Sequence, residues 1–233
     1  MQREAAAIST SKYQSNKPQL ALNLTNDTEP TVFDLKKIQP NLHNAEIYYY
    51  PNFLTKPSAD KLLQTLLQEI PFQPFSIKIY GKETLIPRLQ SWHGDLGVRY
   101  QYSGESLITK PWTPTLLKLK SELELFCANE ISPIRFNSVL CNLYRDGQDS
   151  MGWHSDDEAE LGLNPAIASI SLGETRPFKL QHKKDKTLKW QAPLEHGSLL
   201  IMAGETQHYW RHHIPKSQRP LQPRINLTFR WVY

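Results

Sequence analysis

Arg224-Ile225-Asn226-Leu227-Thr228-Phe229-Arg230 alternates without a break between polar and apolar residues. In an extended chain, successive side chains leave on opposite sides. Arg224, Asn226, Thr228 and Arg230 therefore share one face, and Ile225, Leu227 and Phe229 the other. An amphipathic edge strand with its polar side in water has the same pattern. Here, however, the polar row carries two guanidiniums, an amide and a hydroxyl, groups suited to forked recognition of carboxylates. A small dicarboxylic acid fits such a row.

Upstream lie further short runs rich in branched and aromatic residues: Ser138 to Tyr144, Ile167 to Leu172, Pro177 to His182, Ser198 to Met202 and Tyr209 to Ile214. Gly, Pro, Asp and Asn separate them, and no helix-length pattern intervenes. Strands at this density do not build a parallel α/β sheet, so the expected fold class is mostly β (α+β), an antiparallel sandwich or jelly roll. Two helices precede it. Ser58 is read as the cap of a helix whose leucines Leu62, Leu63, Leu66 and Leu67 recur at helical spacing. Thr113 caps a second, with Pro114 in its first turn and Leu116, Leu119, Leu123 and Phe126 on one face. Both are expected to buttress one outer face of the sheet.

The 233 residues, 39% hydrophobic and 21% charged, suffice for one domain. Residues 1–44 are polar and read as a disordered tail, leaving 45–233 as the folded unit. No apolar stretch reaches the roughly 18 residues of a bilayer span, and the N-terminus lacks the shape of a secretory signal. A cytoplasmic protein without a membrane partner is expected, and a monomer. Two cysteines build neither a disulfide framework nor a cysteine-rich zinc site. Lys and Arg total 27 against 23 Asp and Glu, a net charge of +4 that permits a polyanionic partner without demanding one.

Two further groups carry chemistry. In His154-Ser155-Asp156 an extended backbone presents an imidazole and a carboxylate together. A histidine 58 positions later (212 minus 154) would complete a two-histidine, one-carboxylate face that leaves other coordination positions open, as in non-haem Fe(II) oxygenases. The tripeptide alone also fits an ordinary surface pair. In Asn142-Leu143-Tyr144, Asn142 and Tyr144 point the same way, toward a bound keto acid or simply into packing.

The order N-x-Y, H-x-D-D-E, a histidine before Ile-Pro-Lys, and R-x-N-x-T-x-R resembles the AlkB family of Fe(II)- and 2-oxoglutarate-dependent dioxygenases over roughly residues 75–233. It is especially similar to the branch that repairs alkylated DNA, through Phe136 to Gly147 and Pro223 to Arg230. The resemblance implies a double-stranded β-helix, a jelly-roll variant. It implies Fe(II) on His154, Asp156 and His212, with His208 and His213 the competing choices for the last position. It also implies 2-oxoglutarate contacts at Asn142, Tyr144, Arg224, Asn226 and Arg230, with Thr228 on the same face, and O2 as co-substrate.

By the same resemblance, about 75–110 is a nucleotide-recognition region. Tyr102 is expected to stack on a flipped base, Tyr80 to sit near the place it vacates, and Gly81, Lys82, Tyr100, Asp157 and Glu158 to meet the substrate. A methyl group on a base-pairing nitrogen is inaccessible inside a duplex, so the base must be extruded and held by stacking. Lys78, Lys82, Arg99 and Lys183-Lys184-Asp185-Lys186 are candidate phosphate contacts. The implied reaction removes alkyl groups from 1-methyladenine or 3-methylcytosine in alkylated DNA, yielding formaldehyde, succinate and CO2. Competing readings are an RNA demethylase, a 2-oxoglutarate oxygenase of a protein or lipid, and a non-catalytic nucleic-acid-binding module. A zinc hydrolase on the same ligands would leave the arginine row without a role.

Overall fold

The computed structural model describes residues 35–79, 81–102 and 105–233. Among the described residues there are thirteen strands: β1 (Glu46–Tyr50), β2 (Gln73–Ile79), β3 (Lys82–Gly94), β4 (Arg99–Tyr102), β5 (Glu105–Ile108), β6 (Ser138–Tyr144), β7 (Met151–His154), β8 (Ile167–Gly173), β9 (Arg176–His182), β10 (Lys189–Leu194), β11 (Ser198–Ala203), β12 (Trp210–Ile214) and β13 (Arg224–Arg230). Helices α1 (Lys56–Glu69) and α2 (Pro114–Glu130) precede the last eight strands, and a single turn, α3 (Thr206–Tyr209), leads into β12. No helix among the described residues is long and apolar enough to cross a membrane.

Eleven of the strands form two facing sheets, and β4 and β5 pair apart from them. The larger runs β1-β11-β8-β13-β6-β3-β2 and the smaller β10-β9-β12-β7, all pairings antiparallel. The eight strands from β6 to β13 divide four and four between the sheets, which is the expected jelly roll. β13 lies between β6 and β8, so its polar row is enclosed and is not the wet side of an edge strand. Gly173 makes the close approach of β8 to β13 possible: its φ is +89°, and a Cβ there would collide with the Pro223 carbonyl oxygen.

Alternation along β13 decides which core each side chain joins. Ile225, Leu227 and Phe229 pack outward with Val139, Cys141 and Ile170 against the buried faces of α1 (Leu62, Leu66) and α2 (Leu116, Leu119, Leu123, Phe126). Each such leucine contributes about 1.5–3 kcal/mol on burial, so the two helices buttress the larger sheet as the leucine spacing required. Between the sheets lies a second apolar cluster, including Tyr49, Phe178, Leu180, Leu200, Met202, Trp210 and Ile214; Phe178, Leu200, Met202 and Ile214 form the apolar side of the pocket that the polar row lines.

Three expectations are corrected. Thr55, not Ser58, caps α1. Its hydroxyl accepts from the Ser58 N–H, and Pro57 occupies the first turn, where no N–H is needed. The polar tail does not extend to residue 44: Leu35 is buried, Ile38 pairs with Tyr49, and the His43 carbonyl accepts from Trp210 Nε1 at 2.9 Å. Residues 1–34 lie outside the described residues. Lastly, the run from Tyr209 begins as a strand only at Trp210, because the preceding turn is helical, with the His208 N–H donating to the Glu205 carbonyl.

Candidate active site

β7 and β12 are neighbours in the smaller sheet, with His212 directly opposite His154. The two rings lie 4.1 Å apart, and Asp156, just beyond the end of β7, places its Oδ1 3.9 Å from His154 Nε2. One ligand atom from each of the three falls within 4.8 Å of the others, an arrangement that could hold one metal ion. His154 Nδ1 faces the Gly152 carbonyl at 2.9 Å, which leaves Nε2 toward the group. His212 is buried, and its Nδ1 has no hydrogen-bond partner.

Electrostatics favour the metal-binding protonation states. Burial works against the Asp156 carboxylate, but Arg230, whose Nη2 is 3.1 Å from Oδ1, together with His154 and His212 holds it well below the usual range. Burial, with His154 beside it, pushes His212 down to about 3, so the imidazole is neutral. The two competing histidines separate cleanly. His208 is exposed on α3, and His213 points to the opposite side of β12, where it stacks on Trp153.

The polar row of β13 continues from the triad into the barrel. Arg224 is 1% exposed, with its guanidinium 5.0 Å from the Tyr144 ring centroid. Its Nη2 donates to Ser171 Oγ at 2.9 Å, while Nε and Nη1 are buried without a hydrogen-bond partner. Burial pushes the guanidinium down to about 10, still a cation at neutral pH. An enclosed cation with two idle donors is complementary to a carboxylate. Asn226 donates to Ser169 Oγ at 2.7 Å and accepts from Thr228 Oγ1 at 3.0 Å. Across the register, Asn142 accepts from Arg88 Nε at 2.9 Å. Asn142, Tyr144, Arg224, Asn226, Thr228 and Arg230 all line one pocket together with His154, Asp156 and His212.

Several residues in and around this pocket were missed in the sequence. Arg88 and Gln90 fall within the segment read as nucleotide recognition, yet both side chains turn into the pocket, with the Gln90 amide 2.8 Å from Asn142 Oδ1. Their i, i+2 spacing with Trp92, which lines the same pocket, was the available signal. Gln207 is fully buried, and its Oε1 accepts from the Asp156 N–H at 3.0 Å. Arg176, 1% exposed, donates to the carbonyls of Asp146, Asp149 and Pro215, and its guanidinium lies 5.7 Å from the Tyr144 ring centroid.

The substrate side is partly resolved. Gly81 adopts φ +78° between the paired Ile79 and Lys82, and Lys82 is exposed at the same tip. Asp157 is exposed and ion-paired with Lys183 at 2.8 Å, and Glu158 is half-buried. Tyr80 and the side chains of Lys78, Tyr100 and Tyr102 lie outside the described residues, although β4, which carries the latter two, pairs antiparallel with β5 in a sheet apart from the other two.

Comparison with known proteins agrees with this geometry. Residues 46–230 match the family model described as the 2OG-Fe(II) oxygenase superfamily. The mouse alpha-ketoglutarate-dependent dioxygenase alkB homolog 3 is 41% identical over 201 residues, 81% of this chain and 67% of that protein. The bovine DNA oxidative demethylase ALKBH2 is 38% identical over 193 residues, 78% of this chain and 68% of that protein. The chain thus spans about two thirds of the length of these relatives. The solved structure of OsALKBH1 superimposes with a TM-score of 0.56 at 17% identity, covering 79% of this chain and 97% of that one, and so shares the fold. With its jelly roll, its His-Asp-His group and these relatives, the chain belongs to the AlkB family of Fe(II)- and 2-oxoglutarate-dependent dioxygenases.

Proposed function

We propose that this enzyme oxidatively dealkylates nucleobases such as 1-methyladenine and 3-methylcytosine in DNA. The observation that carries the reading is the adjacency, in one pocket, of the His154-Asp156-His212 group and the buried Arg224 with two unpartnered donors. His154, Asp156 and His212 would hold Fe(II), which with 2-oxoglutarate and O2 supplies the oxidation of the N-alkyl carbon. Arg224 receives the distal carboxylate of the keto acid, with Ser171 and the Tyr144 ring fixing the guanidinium in place. Asn142 and Asn226 complete the slot, each held by neighbours that fix its amide. Arg230 keeps Asp156 ionised and oriented.

On the substrate side, the half-exposed His154 ring offers one face to an extruded base, and Tyr102 supplies the other. Tyr80, Gly81, Lys82 and Tyr100 would meet the strand that held the base, and Asp157 and Glu158 its polar edge. A damaged base pairs badly, which lowers the cost of extrusion. The names of the relatives, a DNA oxidative demethylase among them, support a nucleic-acid target.

Formaldehyde release from methylated single-stranded DNA, duplex DNA and RNA tests the assignment. DNA should turn over, dependent on Fe(II) and 2-oxoglutarate, and Asp156→Ala should lose both iron uptake and turnover. Turnover confined to RNA would replace the DNA assignment. Stoichiometric iron binding with no turnover of any nucleic acid would move the enzyme to a protein or lipid target.

A further inference from the structure

The function proposed above uses the inward side of the four-stranded sheet. Its outward side has a composition of its own. The strands β7 (MGWH), β9 (RPFKLQH), β10 (KWQAPL) and β12 (WRHHI) contain no Asp or Glu at any position. The register lays the outward residues in rows: His213 opposite Lys179 and Lys179 opposite Gln191, then Arg211 opposite Gln181 and Gln181 opposite Lys189. Lys179, Lys189 and Gln191 are exposed.

Part of this face is held rigid. Trp153, 40% exposed, stacks on His213 at 3.8 Å and lies 4.9 Å from the Arg211 guanidinium, which donates to Gln181 Oε1 at 2.7 Å. The face continues into the β9–β10 hairpin. There Lys184 is exposed, and the one carboxylate, Asp185, is engaged by the Thr187 N–H and hydroxyl at 2.9 and 2.6 Å. The same hairpin touches the active site through Lys183 and Asp157.

A sheet face that is merely solvated mixes both signs of charge. One with cations, amides and a fixed tryptophan but no carboxylate attracts an extended polyanion. Resting on the proposed function, we propose that this outward face binds the phosphate backbone of the single-stranded nucleic acid whose target base enters the site. Lys179 and Lys189 are phosphate contacts, and Arg211, on β12 at the far side of β9 from Lys189, is pre-positioned by Trp153 and Gln181 as a third. The strand then reaches the pocket over the β9–β10 hairpin, and affinity grows with strand length beyond the few nucleotides the pocket can hold.

The test compares the wild-type chain with the Lys179→Gln/Lys189→Gln double variant, neither position lining the pocket. Anisotropy with an unmethylated DNA strand of about 16 nucleotides reads binding, and turnover of a methylated trinucleotide against a methylated strand of the same length reads its consequence. The double variant should bind the strand about tenfold more weakly, with the log–log salt dependence shallower by about 1.4. Its KM should rise on the long substrate only, and Lys179→Arg/Lys189→Arg should retain wild-type behaviour. Unchanged strand affinity and salt slope would overturn the proposal. So would wild-type binding to anionic vesicles with none to the strand. Weakened strand binding in a protein that demethylates no nucleic acid would sustain this surface while defeating the proposed reaction.

Discussion

Lys183 Nζ lies 2.8 Å from Asp157 Oδ2 and 2.8 Å from the Gln207 carbonyl, so one ammonium joins the carboxylate beside a candidate metal ligand to the residue that holds that ligand's backbone. The sequence suggested a free phosphate contact at this lysine. In the structure it is a staple: Gln207 accepts from the Asp156 N–H, and the Lys183 N–H donates to the Tyr209 carbonyl one residue before β12.

Lys183→Met should therefore act on catalysis more than on stability. The pair is a third to a half exposed, so its loss costs no more than about 1 kcal/mol. Loosening the Asp156 segment should lower kcat/KM about tenfold and raise the Fe(II) concentration needed for half-maximal activity. Lys183→Arg should recover part of it. Equal losses in melting temperature and activity, with iron dependence unchanged, would assign Lys183 to packing alone.

The parts of the molecule legible in the sequence were those governed by local periodicity. The alternation of Arg224 to Arg230 assigned each side chain to the correct face, and the leucines of α1 and α2 marked their buried stripes. The choice of His212 over His208 and His213 followed from family resemblance and agrees with the geometry. What escaped was set by long-range contact. Arg88 becomes a pocket residue only because β3 pairs with β6, and Gln207 because α3 is pressed beneath Asp156. β10 escaped because Pro193 and its polar outward residues disguise a strand, which can carry proline at the outermost position of a sheet.

Arg224→Lys tests the keto-acid slot. A lysine keeps the charge but loses the fork and the stacking on Tyr144. The KM for 2-oxoglutarate should rise by about 10- to 100-fold, corresponding to roughly 1.5–3 kcal/mol for a charged hydrogen bond, while iron binding measured without the keto acid stays at the wild-type level. A KM that does not move would place the distal carboxylate elsewhere.

Acid should destabilise the metal-free protein through His212. Its folded pKa, about 3, lies below the unfolded value near 6.5, so between these limits the unfolded chain binds the extra proton and stability falls as pH falls. Asp156, also depressed, adds to the loss only below its unfolded value near 4. Between pH 6.5 and pH 5 the His212 contribution amounts to about 2 kcal/mol. Urea titrations of the apo-protein should show this drop, and His212→Gln should flatten it. The same slope in the variant would assign the proton uptake to another histidine.

Arg176 connects the loop after β6 to the segment after β12, because its guanidinium donates to the carbonyls of Asp146 and Asp149 on one side and Pro215 on the other. Arg176→Met keeps most of the volume but strands the buried Asp149 carbonyl and takes the donor from the part-buried carbonyls of Asp146 and Pro215. An unsatisfied buried acceptor costs about 1–3 kcal/mol, so the variant should lose about that much unfolding free energy. Tyr144 would lose the guanidinium on one side as well, and the KM for 2-oxoglutarate should rise in whatever fraction remains folded. A variant with wild-type stability in urea would mean that the two segments are held by contacts other than this arginine.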